Sequence, residues 1–142
     1  MAEDYELCLY LVDCDGLYEI ATTNSDNLKS LYLAKLSSGV IGVPSIVWQE
    51  FKELYEEKAA ELAPYVAHKI NLKKSYHIGA AVIAEKMNSG FSHSPYDRNS
   101  DVYVASICSI EDFQLVTRKS RLPIYKEMGF DNVTDLDTWV DS

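Results

Sequence analysis

A short apolar segment, followed at once by acidic residues, constrains the fold of this chain more than any other feature. The segment LCLYLV, residues 7–12, has no charged position, and DCDG, residues 13–16, ends it abruptly. A continuous apolar run of this length is typical of a strand that is buried on both faces, as in a parallel sheet. Because Asp13 and Asp15 come directly after it, they are predicted to lie at the carboxyl end of this strand.

The other apolar patterns alternate between strand and helix. Strands are predicted at 7–12, 39–44, 113–117 and within 132–140, and helices after Ser25 and at 45–62, 76–87, 101–110 and 122–129. The polar stretch 88–100, which contains glycine and proline, is predicted to be a loop. This alternation predicts an α/β fold with helices on both faces of a mostly parallel sheet. Ligands of such sheets bind beyond the carboxyl ends of the strands, where the strand order reverses.

Length, charge and cysteine content limit the class of protein. A chain of 142 residues suits one domain with one core. Its net charge of -9 argues against a protein that coats nucleic acid through a basic face, but not against an enzyme that meets nucleic acid at one patch. The odd number of cysteines, three, favours reduced residues of a cytoplasmic protein. The acidic start, MAEDYE, lacks the basic region of a secretory signal, and no apolar run is long enough to span a membrane.

Three acidic residues on separate predicted elements form a candidate site. Asp13 follows the first strand, Glu50 is predicted on the apolar stripe of the helix at 45–62, and Asp101 opens a later helix. Each residue also has a purely structural interpretation, since acids favour turns, buried salt bridges and helix starts. Together they offer the oxygen ligands that Mg²⁺ or Mn²⁺ prefers, and such a metal can generate a hydroxide nucleophile near neutral pH.

Four segments of the chain resemble the PIN-domain family of metal-dependent ribonucleases. They are YLVDCDGL (10–17), VPSIVWQEF (43–51), SDVYVASICSI (100–110) and FQLVT (113–117). Asp13, Glu50 and Asp101 match the acids of the family's metal site. Thr117 matches the end of its Val-Thr strand and is implied to hold the site or a metal-bound water. The resemblance covers nearly the whole chain and implies a single domain, 1–142, with a three-layer α/β/α sandwich.

The resemblance also implies an activity and partners. The family cleaves RNA with Mg²⁺ or Mn²⁺, and many small bacterial members are toxins of toxin–antitoxin pairs. Such toxins are often homodimers, silenced by an antitoxin segment that lies over the active site. The implied partners of this chain are therefore an RNA substrate, an antitoxin protein and a second copy of itself, with no membrane.

The chain departs from the family two residues after Thr117, where a fourth acid is expected and Lys119 is found. A protonated lysine cannot ligate a hard cation. At about 4 Å and an effective dielectric constant of about 20, two unit charges interact by roughly 4 kcal/mol, so Lys119 should weaken a second metal site. Three interpretations stay open: Lys119 pairs with the acids and alters the site, it points outward and binds phosphate, or another acid, Asp15 or Asp97, completes the site.

A small basic group surrounds this departure. Arg118, Lys119 and Arg121 are candidates for RNA contacts, because cations beside an acidic site can steer a nucleic-acid backbone, although solvated side chains explain them equally well. The main hypothesis is a metal-dependent endoribonuclease that hydrolyses RNA phosphodiesters. The alternative is a catalytically impaired PIN-fold binding or regulatory module. A weaker third interpretation is an unrelated α/β domain whose acids are caps and salt-bridge partners.

Overall fold

A parallel sheet organises the described part of the chain, which comprises residues 9–90, 99–127 and 129–140 of a computed structural model. Its strands are β1 (Tyr10–Val12), β2 (Ile41–Pro44), β3 (Lys69–Ile70), β4 (Gln114–Thr117) and β5 (Val133–Asp135). Their spatial order is β3-β2-β1-β4-β5, and every neighbouring pair is parallel. Since β1 is flanked by β2 on one side and β4 on the other, the strand order reverses at the β1–β4 pair. This pair is the topological switch point of the sheet.

Eight α-helices connect and cover the strands within these residues. They are α1 (Cys14–Thr22), α2 (Asp26–Ser37), α3 (Ser45–Leu54), α4 (Glu56–Leu62), α5 (Lys74–Gly90), α6 (Asn99–Glu111), α7 (Leu122–Glu127) and α8 (Leu136–Val140). Two short 3-10 turns, Ala63–Tyr65 and Lys119–Arg121, complete the described elements. None of these helices is long and apolar enough to cross a membrane.

The central strands are buried on both faces, which confirms the predicted α/β sandwich. Leu11 and Val12 are neighbours in β1, so their side chains point to opposite faces of the sheet, and both are fully buried. Leu115 and Val116 show the same pattern in β4. Helices must therefore cover both faces, which explains why these strands read as continuous apolar runs.

Several element boundaries differ from the sequence prediction. Helix α1 begins directly after β1, where only the end of a strand was predicted. The helix predicted at 45–62 is two helices that are separated at Tyr55, whose extended φ of -139° interrupts the helical backbone. The short edge strand β3 was not predicted. Helix α5 extends to Gly90, so the predicted loop at 88–100 begins later, and its remainder at 91–98 lies outside the described residues.

Candidate functional site

Asp13 lies at the switch point, between the end of β1 and the start of α1. Its Oδ1 accepts a hydrogen bond from the backbone N–H of Gly16 at 2.8 Å, which caps α1. Its Oδ2 accepts one from Thr117 Oγ1 at 2.7 Å. Val12 pairs with Val116 in the sheet. The residues that follow them, Asp13 and Thr117, are therefore neighbours. The parallel register therefore brings these two predicted site residues together.

Asp101 reaches the same place from the first turn of α6. This helix leads into β4 through a short connection and packs on β1 and β4, so its amino end lies at the carboxyl end of the sheet. The Asp101 side chain is almost fully buried. Its Oδ1 accepts a hydrogen bond from the Tyr125 hydroxyl at 3.1 Å, and the same hydroxyl donates to Asp13 Oδ2 at 2.7 Å. One phenol thus connects two buried carboxylates.

Tyr125, which was not predicted from the sequence, lies at the centre of this aspartate cluster. It lies in α7, the short helix that follows the rim of β4, and its side chain is fully buried. A tyrosine in a short amphipathic segment reads as an ordinary packing residue. Its position a few residues after the strand that ends in Thr117 is the only sequence signal for its role.

Arg121 supplies the positive charge in the cluster. Its Nη2 donates a hydrogen bond to Asp101 Oδ2, and its Nε lies 2.9 Å from Asp15 Oδ2. The second contact is an ion pair without an aligned hydrogen bond, because this N–H has no hydrogen-bond partner among the described residues. The side chain of Arg121 is only 17% exposed. The cation that faces the acids is therefore Arg121 and not Lys119, which is exposed at the start of the 3-10 turn.

Glu50 lies on α3 and is half-buried. The fully or nearly fully buried side chains of α3 are Val47, Trp48 and Phe51. The helical pattern predicted Glu50 in the middle of the apolar stripe. In the structure it lies instead at the border of the buried face. Helix α3 packs against both α1 and α6, which carry Asp15 and Asp101 respectively. Asp97, the other acid considered for the site, lies outside the described residues.

Two of the three predicted RNA-contacting residues have acidic partners. Arg118 lies 3.8 Å from Glu19 Oε1 and 5.4 Å from the ring centroid of Tyr18, and Arg121 pairs with the aspartates. Lys119 is the exposed member of the three. The predicted basic patch is therefore largely neutralised by neighbouring acids.

Burial dominates the electrostatics of the cluster. It raises the pKa of Asp13, while hydrogen bonds from Thr117, Tyr125 and Gly16 act in the opposite direction. Burial, followed by the charge of Asp13, raises the pKa of Asp101 to about 7, against the attraction of Arg121. Burial disfavours the charged guanidinium of Arg121, yet the neighbouring Asp101 and Asp15 raise its pKa overall. The cluster therefore requires a proton or a cation near neutral pH.

A divalent metal does not fit this arrangement of side chains. Carboxylates are suitable ligands for Mg²⁺ or Mn²⁺. However, within residues 9–90, 99–127 and 129–140 no three histidine, cysteine or acidic residues form a group that could hold a metal. The oxygen atoms of Asp13 and Asp101 already accept hydrogen bonds from Thr117, Tyr125 and Arg121. With Arg121 in contact with Asp101 and Asp15, these side chains are therefore not arranged as metal ligands, and metal binding would require the guanidinium to move away.

Solved structures identify the fold. The sequence matches no protein-family model and no curated protein. PAE2754 from Pyrobaculum aerophilum is 12% identical, with a TM-score of 0.65 over 95% of this chain and 88% of that chain. DNA-bound VapBC from Salmonella typhimurium is 13% identical, with a TM-score of 0.65 over 91% of this chain and 98% of that chain. VapBC2 from Rickettsia felis, bound to a DNA fragment from its promoter, is 15% identical, with a TM-score of 0.62 over 89% of this chain and 97% of that chain.

These structures contain PIN domains, so the chain has the PIN-like fold that its motifs predicted. At identities of 12 to 15%, the likeness shows the fold alone.

Proposed function

We propose that this protein is a PIN-like endoribonuclease that hydrolyses RNA phosphodiesters with the help of Mg²⁺ or Mn²⁺. The observation that carries the proposal is the pair of buried aspartates, Asp13 and Asp101, on one tyrosine hydroxyl at the switch point of the sheet. Buried carboxylates with raised pKa values destabilise a fold. Such groups are concentrated at functional sites, and the switch point is where ligands of parallel sheets bind.

The proposed roles follow the resemblance residue by residue. Asp13, Glu50 and Asp101 are the proposed metal ligands, and Thr117 orients Asp13 through its hydrogen bond. Arg121 has to leave the aspartates before they can act as ligands, because its guanidinium contacts the same carboxylates. Among the basic residues, exposed Lys119 is the first candidate for an RNA contact.

The biological setting is part of the same proposal. The likeness to two VapBC structures supports a toxin of a toxin–antitoxin pair, with an antitoxin protein as partner. A cytoplasmic location is proposed from the odd number of cysteines. A homodimer is proposed from the family resemblance alone. Co-expression with a neighbouring small open reading frame, followed by co-purification, tests the partner directly.

The activity is tested with labelled RNA and Mn²⁺. We expect cleavage by the wild-type protein and a loss of cleavage to the level of protein-free buffer for Asp13→Asn and Asp101→Asn. Asp26→Asn is the matched control, because Asp26 also lies in the first turn of a helix but is exposed. If all three variants cleave like the wild type, Asp13 and Asp101 are not the catalytic centre.

A second candidate function is a PIN-fold binding or regulatory module without nuclease activity. Arg121 favours it, since a cation already neutralises the aspartates in this arrangement. Such a module would bind RNA or a protein without cleaving RNA. RNA binding that persists in Asp13→Asn, together with absence of cleavage by the wild type at every Mn²⁺ concentration, would favour this module over the nuclease.

A further inference from the structure

Arg121 joins two acids that come from different elements of the fold. Asp15 lies in the first turn of α1, Asp101 in the first turn of α6, and Arg121 in the turn after β4. A guanidinium presents several N–H donors in a rigid plane, so one arginine can contact two carboxylates at once. The three segments meet at the switch point, where the proposed active site lies.

The cluster requires a compensating positive charge for electrostatic reasons. Asp13, Asp15 and Asp101 place three carboxylates close together, and two of them are almost fully removed from solvent. Asp13 and Asp101 share the Tyr125 hydroxyl, and Asp15 and Asp101 share the Arg121 guanidinium. Like charges this close repel one another, and burial strengthens the repulsion. Arg121 is the cation in direct contact with them among the described residues. Its position satisfies the same requirement that a divalent metal would satisfy.

We propose that Arg121 is a built-in counter-cation that excludes a divalent metal from Asp101 and Asp15 until its guanidinium is displaced. The inference deepens the proposed function and rests on it, because it concerns the same aspartates as metal ligands. A counter-cation differs from a simple salt bridge in one respect. Removing the charge of Arg121 should increase the affinity for a divalent metal and not only lower stability.

The decisive variant is Arg121→Met, which keeps a long apolar stem but removes the charge. Arg118→Met is the matched control, since Arg118 lies three residues away and pairs with Glu19 outside the cluster. The double variant Asp101→Asn, Arg121→Met tests whether any new metal site uses Asp101. Circular dichroism checks that each variant is folded.

Mn²⁺ affinity is measured by isothermal titration calorimetry, and the shift of Tm with added Mn²⁺ is measured in parallel. We expect Arg121→Met to bind Mn²⁺ about tenfold or more tightly than the wild type, since the repulsion from one nearby cation is removed. Arg118→Met should match the wild type, and the double variant should lose the gain. Equal Mn²⁺ affinity of the wild type and folded Arg121→Met would overturn the proposal.

A measurement on the wild-type protein covers the case in which Arg121→Met does not fold. The Nε–H resonance of Arg121 is followed by nuclear magnetic resonance while Mg²⁺ is added. We expect the resonance to shift as Mg²⁺ saturates the protein, because the guanidinium leaves Asp15 and Asp101. Saturation with Mg²⁺ that leaves this resonance unchanged would overturn the proposal.

RNA cleavage separates this inference from the proposed function. Tight Mn²⁺ binding by Arg121→Met, together with no RNA cleavage by the wild type, would support the counter-cation and contradict the nuclease. Aspartate-dependent cleavage by the wild type, with Mn²⁺ affinity unchanged in Arg121→Met, would support the nuclease and contradict the counter-cation.

Discussion

The hydroxyl of Tyr125 has one hydrogen but faces two buried carboxylates. The shorter contact, 2.7 Å, is to Asp13, and the contact with Asp101 is 3.1 Å. One hydrogen cannot serve both carboxylates equally, so Asp101 receives the weaker of the two hydrogen bonds. This arrangement agrees with the pKa of Asp101, which burial and the charge of Asp13 raise to about 7. Tyr125 therefore connects the ionisation of the two aspartates.

Removing this hydroxyl should destabilise the fold without disturbing the packing of the ring. We expect Tyr125→Phe to lower the free energy of unfolding by about 1–3 kcal/mol, because a buried carboxylate loses its donor. Tyr32→Phe is the matched control, since Tyr32 is equally buried but donates to the exposed Asp137 at 3.0 Å. Urea unfolding of both variants at pH 7 measures the difference. Equal losses for the two variants would contradict a special role of Tyr125.

The hydroxyl of Thr117 can be tested in the same way. Thr117→Val keeps the shape of the side chain but removes the donor to Asp13 Oδ2, and Thr117 is fully buried. We expect a loss of about 1–3 kcal/mol in the free energy of unfolding. Thr134→Val on β5 is the control, because Thr134 is only half-buried and its hydroxyl contact is long, at 3.5 Å. A Thr134→Val variant that is destabilised as much as Thr117→Val would show that strand position, and not the bond to Asp13, sets the loss.

The sequence left open whether Lys119 faces the acids or points outward, and the residue that contacts the acids is Arg121, two positions later. Strand periodicity places Lys119 two positions after Thr117, on the same side as the site. The chain leaves the strand before that point, and residues Lys119–Arg121 form a 3-10 turn with three residues per turn. This change of direction leaves Lys119 exposed and turns Arg121 toward the acids. Side-chain direction after the end of a strand depends on the connecting turn, which residue types alone do not fix.

At the level of elements, the site is built by the abrupt change from strand to helix at Asp13. Gly16 lies where the first turn of α1 passes over the end of β4. A Cβ atom on Gly16 would lie 2.5 Å from Val12 Cγ2 and 3.1 Å from the carbonyl oxygen of Val116. An added Cβ there requires Val12 or the start of α1 to shift, so the close approach that positions the Asp13 cap favours glycine at this position.

Gly16→Ala should therefore displace the start of α1. We expect the free energy of unfolding to fall by about 2–3 kcal/mol, the upper part of the range for an overpacked core. Gly39→Ala is an informative comparison, because Gly39 has a φ of +84° but no atom within 4 Å of the added Cβ. It should lose only about 1 kcal/mol, from the left-handed backbone alone. Urea unfolding that finds Gly16→Ala as stable as the wild type would refute the close approach.

The predictability of the elements follows from how much of each depends on local sequence. The strands β1, β2 and β4 could be predicted because strands buried on both faces are continuously apolar. Helix α1 was missed because an Asp-x-Asp-Gly segment is equally favourable as a turn and as a helix start. The two-residue strand β3 exists only through its pairing with β2, which no local pattern encodes.

At the scale of the whole described molecule, the aspartate cluster is not the only acidic group near the carboxyl rim of the sheet. A second group of acids lies near the aspartate cluster: Glu19 on α1, Asp135 at the end of β5 and Asp137 on α8. Burial, followed by the charge of Asp137, raises the pKa of Glu19, and Arg118 partly compensates. Since the net charge is -9, the rim repels a phosphate backbone unless cations are present. The proposed RNA binding would therefore require additional positive charge at this edge.

The charge state of the cluster should make the stability of the whole molecule depend on pH. Burial and the neighbouring Asp13 raise the pKa of Asp101 from 3.8 to about 7. A carboxyl group with a raised folded-state pKa binds more protons in the folded than in the unfolded state between these two values. Its contribution to stability is therefore fully present below about pH 4 and is lost as pH rises through about 7.

Asp101→Asn removes this titration and keeps a side chain of similar shape. We expect the free energy of unfolding of the wild type to fall relative to Asp101→Asn between about pH 4 and pH 7. The relative loss is at most roughly 4 kcal/mol, since one pKa unit corresponds to about 1.4 kcal/mol. Urea unfolding in metal-free buffers across this range measures the difference between the two proteins. If the difference in the free energy of unfolding between the two proteins does not change with pH, the pKa of Asp101 is the same in the folded and unfolded chains. Arg121 and Tyr125 would then compensate in full for the burial of Asp101 beside Asp13.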